Sequence, residues 1–430
     1  MIETTLTQRI IDLIKREVVP AVGCTEPVAV ALCVAKATEL LECMPQQIEV
    51  GLSANMLKNA MGVGIPGTGM TGLPIAVALG ALCGHSADGL EVLGAATPQD
   101  VERGKEYIKT GAISISLIPD APSKLYIDVT VKADGNSARA IISESHTNFI
   151  LLQKNGETQW EASACNEGKE NGDDCCDDPK LNLHLVYDFA METPLDLIGF
   201  ITKAMELNSA AASEAYEKPY GHSLGRIIRT SGQKFFGDTP LAHMISCTSA
   251  ACDARMGGCP IAVMSNSGSG NQGITCTMPV VSFAKDCDAT EEQLIRALTL
   301  SHLTSIYIKQ GLGRLSALCG CVVASTGASA GIAYLMGADF EKICAAIKNM
   351  VANITGMICD GAKPSCAMKI ASGVSTALMS AMLAMNGQCA GETEGIVCSD
   401  VDRTIHNLTS IGKDAMRETD ALVLDIMTSK

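Results

Sequence analysis

Apolar positions recur along the chain in two different rhythms, and the changes between them mark its parts. Ile10, Ile11, Leu13, Ile14 and Val18 fall at helical spacing, which predicts an amphipathic helix over residues 4–20. A longer apolar helix is expected from Val28 to about Leu41, with Thr25 a natural N-cap and Glu26 and Pro27 in its first turn. Ile48 to Leu52 reads as a short strand and Leu73 to Cys83 as a helix of small residues. The rhythm shifts near Ser86. After a helix over Pro98–Lys109, the segments 112–117, 125–131, 138–142 and 149–152 alternate apolar and polar residues, the period of strands. Residues 153–180 are polar and acidic and predict an exposed excursion. From Pro194 the rhythm is helical nearly to the end, with helices beginning near Glu291, Arg314, Asp339 and Pro364.

These rhythms predict a mostly α protein. Residues 1–85 and 190–430 form a large buried helical domain that carries the chemistry. Residues 86–189 form a smaller α/β insert that includes the acidic loop near 153–180. Residues 315–337 and 370–391 carry no charge and are long enough to cross a bilayer. Both are rich in Gly, Ala, Ser, Thr and Cys rather than Leu, Ile and Phe, which makes insertion unfavourable. They are read as buried helices, and no membrane partner is expected.

Composition sharpens this picture. The 32 basic and 47 acidic residues leave a net charge of −15, which argues against nucleic acid or an anionic membrane as partner. Aromatic residues make up only 3%, so helices packed through small side chains should form the core. Nineteen cysteines is an odd and high count. Met1 to Arg16 is charged and amphipathic rather than a signal peptide, so a cytoplasmic location with free or metal-bound thiols is expected. Self-association is compatible with this reading.

The candidate chemistry lies at helix starts. Cys359 and Cys366 flank Asp360, Lys363, Pro364 and Ser365, which places Cys366 in a first helical turn, where the helix dipole favours a thiolate. Cys319-Gly320-Cys321 is a second source of thiols. Three thiolates from two segments suit an iron–sulfur cluster with one iron left open; small buried packing residues are the alternative. Cys24 precedes another helix start, where its pKa should fall, and is a candidate base or nucleophile or a packing residue. Lys58 and Asn59 lead into a loop with glycines at 62, 64, 67 and 69, whose N–H groups suit an anion or a tight turn. Ser267 to Gly273, with Asn271, opens an apolar helix and offers donors for a carboxylate. No nucleotide-binding glycine fingerprint follows a strand into a helix, and no lysine signal marks a pyridoxal-phosphate site.

Gly23-Cys24-Thr25-Glu26-Pro27, the Lys58–Gly69 loop, Gly270-Asn271-Gln272-Gly273, Cys319-Gly320-Cys321 and Cys359-Asp360-Gly361-Ala362-Lys363 with Cys366 together resemble the L-cysteine desulfidase family. That family is related to the alpha part of iron–sulfur-dependent L-serine dehydratases, and many of its members are uncharacterised. The resemblance spans essentially the whole chain. It implies a 4Fe–4S cluster held by Cys359, Cys366 and Cys321, with Cys319 the alternative to Cys321. The spacing of the downstream pair in the serine dehydratases is longer than the six residues found here. The cysteine with which those enzymes can end, and which covers the open iron, has no counterpart in Met427-Thr428-Ser429-Lys430. The resemblance also implies a small amino-acid substrate and a proton-abstracting role for Cys24. Lys58, Asn59, Gly67, Ser267 and Asn271 are the residues expected to position the substrate. The expected reaction is elimination of sulfide from L-cysteine to pyruvate and ammonia. L-serine dehydration by the same machinery is the alternative, and an iron–sulfur or thiol redox sensor without turnover is a reading of another class.

Overall fold

The computed structural model describes residues 4–162, 178–313 and 316–429. It is mostly α-helical with a small mixed sheet, as the two rhythms predict. The first helix, Thr4–Glu17, buries Ile10, Ile11, Leu13 and Ile14 and stops short of residue 20. There the chain enters β1 (Pro20–Val22). The strands that follow are β2 (Gln47–Leu52), β3 (Ile113–Leu117), β4 (Tyr126–Ala133), β5 (Asn136–Ser143), β6 (Phe149–Lys154), β7 (Glu157–Glu161) and β8 (Ala262–Met264).

Six strands form one sheet in the order β3-β2-β4-β5-β6-β7, with β2 parallel to β3 and every other pair antiparallel. In β4, Ile127, Val129, Val131 and Ala133 are buried, the alternation of a sheet covered on one face. The helix Thr25–Leu41 lies over β4 and β5, where the Cys33 thiol donates to the Ala140 carbonyl at 3.2 Å. The helix Leu73–Cys83 packs on it so closely that a Cβ on Gly80 would come within 2.5 Å of the Ala31 carbonyl oxygen.

The hydrophobic clusters divide the chain differently from the expected insert over 86–189. The Thr25 and Leu73 helices and β2 share one cluster with the later strands, so the α/β unit begins near residue 25. Its last strand, β7, occupies residues expected to be loop; all five of its residues are exposed. The rest of the acidic stretch, 163–177, lies outside the described residues.

The helical part contains Thr202–Glu217, Pro240–Met256, Gly270–Asp286, Glu291–Leu312, Gly320–Leu335, Phe340–Asn353 and Cys366–Met385. Small residues set their spacing. A Cβ on Gly327 would meet the Ser301 carbonyl oxygen at 2.3 Å, and one on Gly373 would meet Ser325 Oγ at 2.2 Å. Of the two uncharged stretches, the Gly320 helix is buried from Cys321 to Ala333. The Cys366 helix departs from the expectation of full burial. It is long and apolar enough to cross a membrane, half of it is buried here, and Met368, Met379, Met382 and Leu383 face outward.

Candidate functional site

Two backbone segments bring the thiols together. Leu318 and Ile358 form an antiparallel bridge, flanked by N–H donation from Cys319 to the Met357 carbonyl and from Cys359 to the Ala317 carbonyl, each 2.8 Å. Side chains alternate across such a pair, so Cys319 and Cys359 fall on one face as diagonal neighbours. Cys319 is extended (φ −65°, ψ 122°) and caps the Gly320 helix. Cys366 opens its own helix, its Sγ 3.7 Å from the Gly361 carbonyl oxygen. Gly361 adopts φ +89°, and a Cβ there would sit 2.1 Å from the Lys58 carbonyl oxygen, so only glycine lets this loop rest on the Lys58 backbone.

The thiols act on one another. The Cys319 thiol is lowered to about 6, because hydrogen bonding from Cys321 outweighs burial, with help from Lys369. Cys321 is correspondingly raised, first by that same bond and then by burial. Cys359 is raised by burial and by the Cys319 charge, against Lys58 and Lys369. Cys366 is pushed up to about 11 by burial and Cys319. Cys252 joins the group from the Pro240 helix; it is fully buried, and Cys366 and Cys319 contribute to its raised pKa after burial. One turn before it, Ser249 Oγ lies 3.4 Å from the Ala367 carbonyl oxygen. Among the described residues, no three Cys, His, Asp or Glu side chains stand close enough to hold a metal ion as arranged. The donor set nonetheless fits an iron–sulfur group: Cys319, Cys321 and Cys366 are buried soft thiols, and Cys359, half-buried on the bridged segment, feels the positive charges of Lys58 and Lys369.

Cys24, not Thr25, caps the Thr25 helix. The expected depression of its pKa does not occur: the thiol is 2% exposed, and burial, then the Glu26 charge, raise it well above the usual value against Arg255. A helix dipole does not offset complete loss of solvent plus an adjacent carboxylate. Cys24 Sγ donates to Glu26 Oε2 at 2.8 Å, and Glu26 also accepts from Thr25 Oγ1 at 3.2 Å and from Asn59 Nδ2 at 3.3 Å. Burial pushes the Glu26 carboxyl up, but His146, the Cys24 bond and Arg255 hold it below the usual carboxylate value.

Arg255, 4% exposed in the last turn of the Pro240 helix, connects this corner to the next. Its Nε donates to the Gly23 carbonyl at 3.2 Å, and it crosses the start of the Gly270 helix where a Cβ on Gly270 would lie 2.2 Å from Nε. The pairing of β1 with β8 and the bond from Ser265 N–H to the Val19 carbonyl (2.8 Å) hold these two loops side by side. Beyond the Ser269 cap, Asn271 Oδ1 and Gln272 Oε1 are buried without partners among the described residues. Gln272 Oε1 lies 2.8 Å from the Cβ position of Gly320, between Cys319 and Cys321. Ser267, at φ 47°, donates to Asn266 Oδ1 at 2.9 Å, as does Gln272 Nε2. Arg255 thus touches the backbone beside Cys24 and the start of the Gly270 helix, and Gln272 of that helix lies against Gly320, next to Cys319.

Two of the expected substrate contacts are already engaged. Lys58 is 2% exposed and ion-paired with Asp420 of the C-terminal helix Arg417–Thr428. The N–H of Gly67 donates to Gly258 and that of Gly64 to Met256, so the glycine loop straps the end of the Pro240 helix instead of offering those groups to an anion. Asn59 holds Glu26, and Asn271 and Ser267 lie on the Gly270 side of the site. Glu26, Arg255 and Cys252 carried no role in the sequence reading, whereas Gln272 lies in the Ser267–Gly273 stretch expected to face a carboxylate. For Glu26 the signal was present, an acid two residues after the cysteine at the same helix start.

Fold and site define a largely helical protein with Cys24, Cys319, Cys321 and Cys366 buried at helix starts. The chain belongs to the serine dehydratase alpha chain family, whose model matches residues 87–425. It is 59% identical to a UPF0597 protein of Phocaeicola vulgatus, covering 100% of this chain and 99% of that one. It is 58% identical to a UPF0597 protein of Bacteroides thetaiotaomicron with the same coverage, and 44% identical to one of Shewanella pealeana, covering 98% of each. The expected kinship with serine dehydratases is borne out, and it gives the chain a serine dehydratase-like domain.

Proposed function

We propose that the chain is an iron–sulfur lyase that eliminates sulfide from L-cysteine, yielding pyruvate, ammonia and hydrogen sulfide. The observation that supports this reading is the Leu318–Ile358 bridge that sets Cys319 beside Cys359, together with the Cys24–Glu26 pair, whose neighbour Gly23 is held by Arg255 at the start of the Gly270 helix. Cys359 and Cys366 would be two cluster ligands. The bridge between residues 318 and 358, which sets Cys319 on the same face as Cys359, favours Cys319 over Cys321 as the third. When bound, the cluster supplies an open iron as Lewis acid.

Cys24, as thiolate, removes the Cα proton; the Cβ–S bond breaks, sulfide leaves, and the released aminoacrylate hydrolyses to pyruvate and ammonia. Arg255 and the start of the Gly270 helix hold the substrate carboxylate, with Asn271 and Gln272 available to its ammonium group. Burial of Cys24, Cys319, Cys321 and Cys366 keeps bulk water from the reacting atoms. L-serine is the second reading, favoured by the match to the serine dehydratase alpha chain. The test is anaerobic purification, reconstitution with iron and sulfide, and assay of pyruvate and sulfide from both amino acids. Absence of a cluster under those conditions refutes the proposal, and a cluster without turnover points to the sensor.

A further inference from the structure

A base must be unprotonated to act, and the Cys24 thiol is buried where its own ionisation is disfavoured. The nearest acceptor is Glu26 Oε2, 2.8 Å from Sγ. Both side chains are almost without solvent, at 2% and 9% exposure, so water cannot take the proton as readily as the carboxylate can. We propose that Glu26 accepts the Cys24 proton and so prepares the thiol as base, a role that rests on the preceding assignment of Cys24.

In the resting pair the S–H bond is intact and Glu26 is a carboxylate. On reaction the S–H bond breaks and an O–H bond forms on Oε2, with no change in net charge. The thiolate then takes the Cα proton, which leaves a thiol beside a protonated Glu26; one proton departs with the leaving sulfide, and the resting pair with its single proton is restored. The groups facing Glu26 suit this exchange. Cys24 and Thr25 donate from its own helix start, and Asn59 donates from the Ala54–Ala60 helix. His146, in the turn after β5, and Arg255, from the Pro240 helix, act on it electrostatically. Arg255 also favours the thiolate, so it supports the pair in both proton positions. Glu26 acts through Cys24 and is therefore a positioning residue.

The test compares kcat/KM against pH for the reconstituted wild type, Glu26→Gln and Glu26→Asp. A pair that shares one proton should give a wild-type profile flat from about pH 6 to about pH 8. Glu26→Gln should lose about 100-fold at neutral pH and then gain about tenfold per pH unit, since the thiolate must form by ordinary ionisation. Glu26→Asp should keep the flat profile at a reduced rate. A Glu26→Gln profile parallel to the wild type, however low, would mean that the carboxylate is only structural and would overturn the proposal. A second readout needs no turnover: the rate at which iodoacetamide labels Cys24 in the full chain, followed by peptide mass spectrometry. It should be nearly pH-independent in the wild type and steep in Glu26→Gln. Equal slopes, or no labelling of wild-type Cys24, would refute the role. A chain inactive on both amino acids would defeat the proposed function while leaving this labelling result decisive for Glu26.

Discussion

His302 sits fully buried in the middle of the Glu291–Leu312 helix, where Asn266 Nδ2 lies 3.1 Å from Nδ1 and Thr277 Oγ1 lies 3.0 Å from Nε2. The Asn266 amide cannot turn round, because its Oδ1 already accepts from Ser267 and from Gln272. Nδ1 is therefore an acceptor, Nε2 carries the hydrogen, and Thr277 passes its own hydrogen to the Gly273 carbonyl at 2.7 Å. A second ring proton would face an N–H group in a dry site. Burial accordingly lowers the imidazole pKa to about 3 from the usual 6.5. Between those values the unfolded chain binds a proton that the folded chain does not, so stability falls as pH falls through the window. The whole difference is worth at most about 5 kcal/mol, and the part lost between about pH 7 and about pH 4.5 is about 2.5 kcal/mol.

Urea midpoints at about pH 7 and about pH 4.5 test this on the wild type and on His302→Asn, which keeps an acceptor near Nδ1. The variant should be less stable at neutral pH by about 1–3 kcal/mol, through lost packing and a lost bond to Thr277. Between the two pH values, however, it should lose about 2.5 kcal/mol less than the wild type. Asp253, whose carboxyl is pushed up to about 6 mainly by burial, titrates in the opposite sense but is present in both proteins. Equal losses would show that His302 is not the neutral, buried imidazole described here.

Other substitutions probe the thiol group and its supports. Cys319→Ser should abolish cluster uptake in anaerobic reconstitution, read by visible absorbance and iron content, whereas Cys321→Ser should retain most of it; the reverse would make Cys321 the ligand. Gly361→Ala places a Cβ on the Lys58 backbone at positive φ and should cost at least about 2 kcal/mol by thermal unfolding. Gly320→Ala meets only the end of the Gln272 side chain and should cost less than about 1 kcal/mol; comparable losses in the two would contradict this loop geometry. Asp253→Asn removes a carboxyl whose folded pKa is raised, so wild-type stability is lost as pH rises from about 4 to about 6 and the variant should gain up to about 3 kcal/mol on the wild type across that range. Chemical denaturation at the two ends of the range measures it.

The helical majority, the later strands and the cysteine-bearing helix starts were legible because each is a local pattern. The Pro98–Lys109 helix shows this well, since its start is fixed by a Thr97–Asp100 capping box three residues wide. What escaped depends on partners far along the chain. β2 reads as a strand, but its neighbours β3 and β4 lie more than sixty residues later, so its place in the sheet was not visible. Lys58 reads as an available cation, but Asp420 neutralises it from 362 residues away. Cys24 reads as a thiol at a helix start, and the dipole argument is sound as far as it goes. Burial beside Glu26 reverses its outcome, and burial is a property of the assembled core.

That reversal also bears on how the site balances charge. Under the proposed function, thiolates, a cluster and a substrate carboxylate would all need positive compensation, yet the nearby cations are largely spent. Lys58 is paired with Asp420, and Lys363 and Lys369 both reach Asp360, whose carboxyl they hold at about 2 against the effect of burial. Arg255 has no ion pair among the described residues. The remaining compensation comes from the backbone. The helices beginning at Thr25, Gly270, Gly320 and Cys366 direct their N-termini toward the groups that run from Cys24 to Cys366, and each start carries about half a positive charge. Fixed dipoles do not compete for substrate or leave as counter-ions do. Helix starts of this kind would let a chain with a net charge of −15 hold the proposed negatively charged reaction centre without a cluster of free lysines around it.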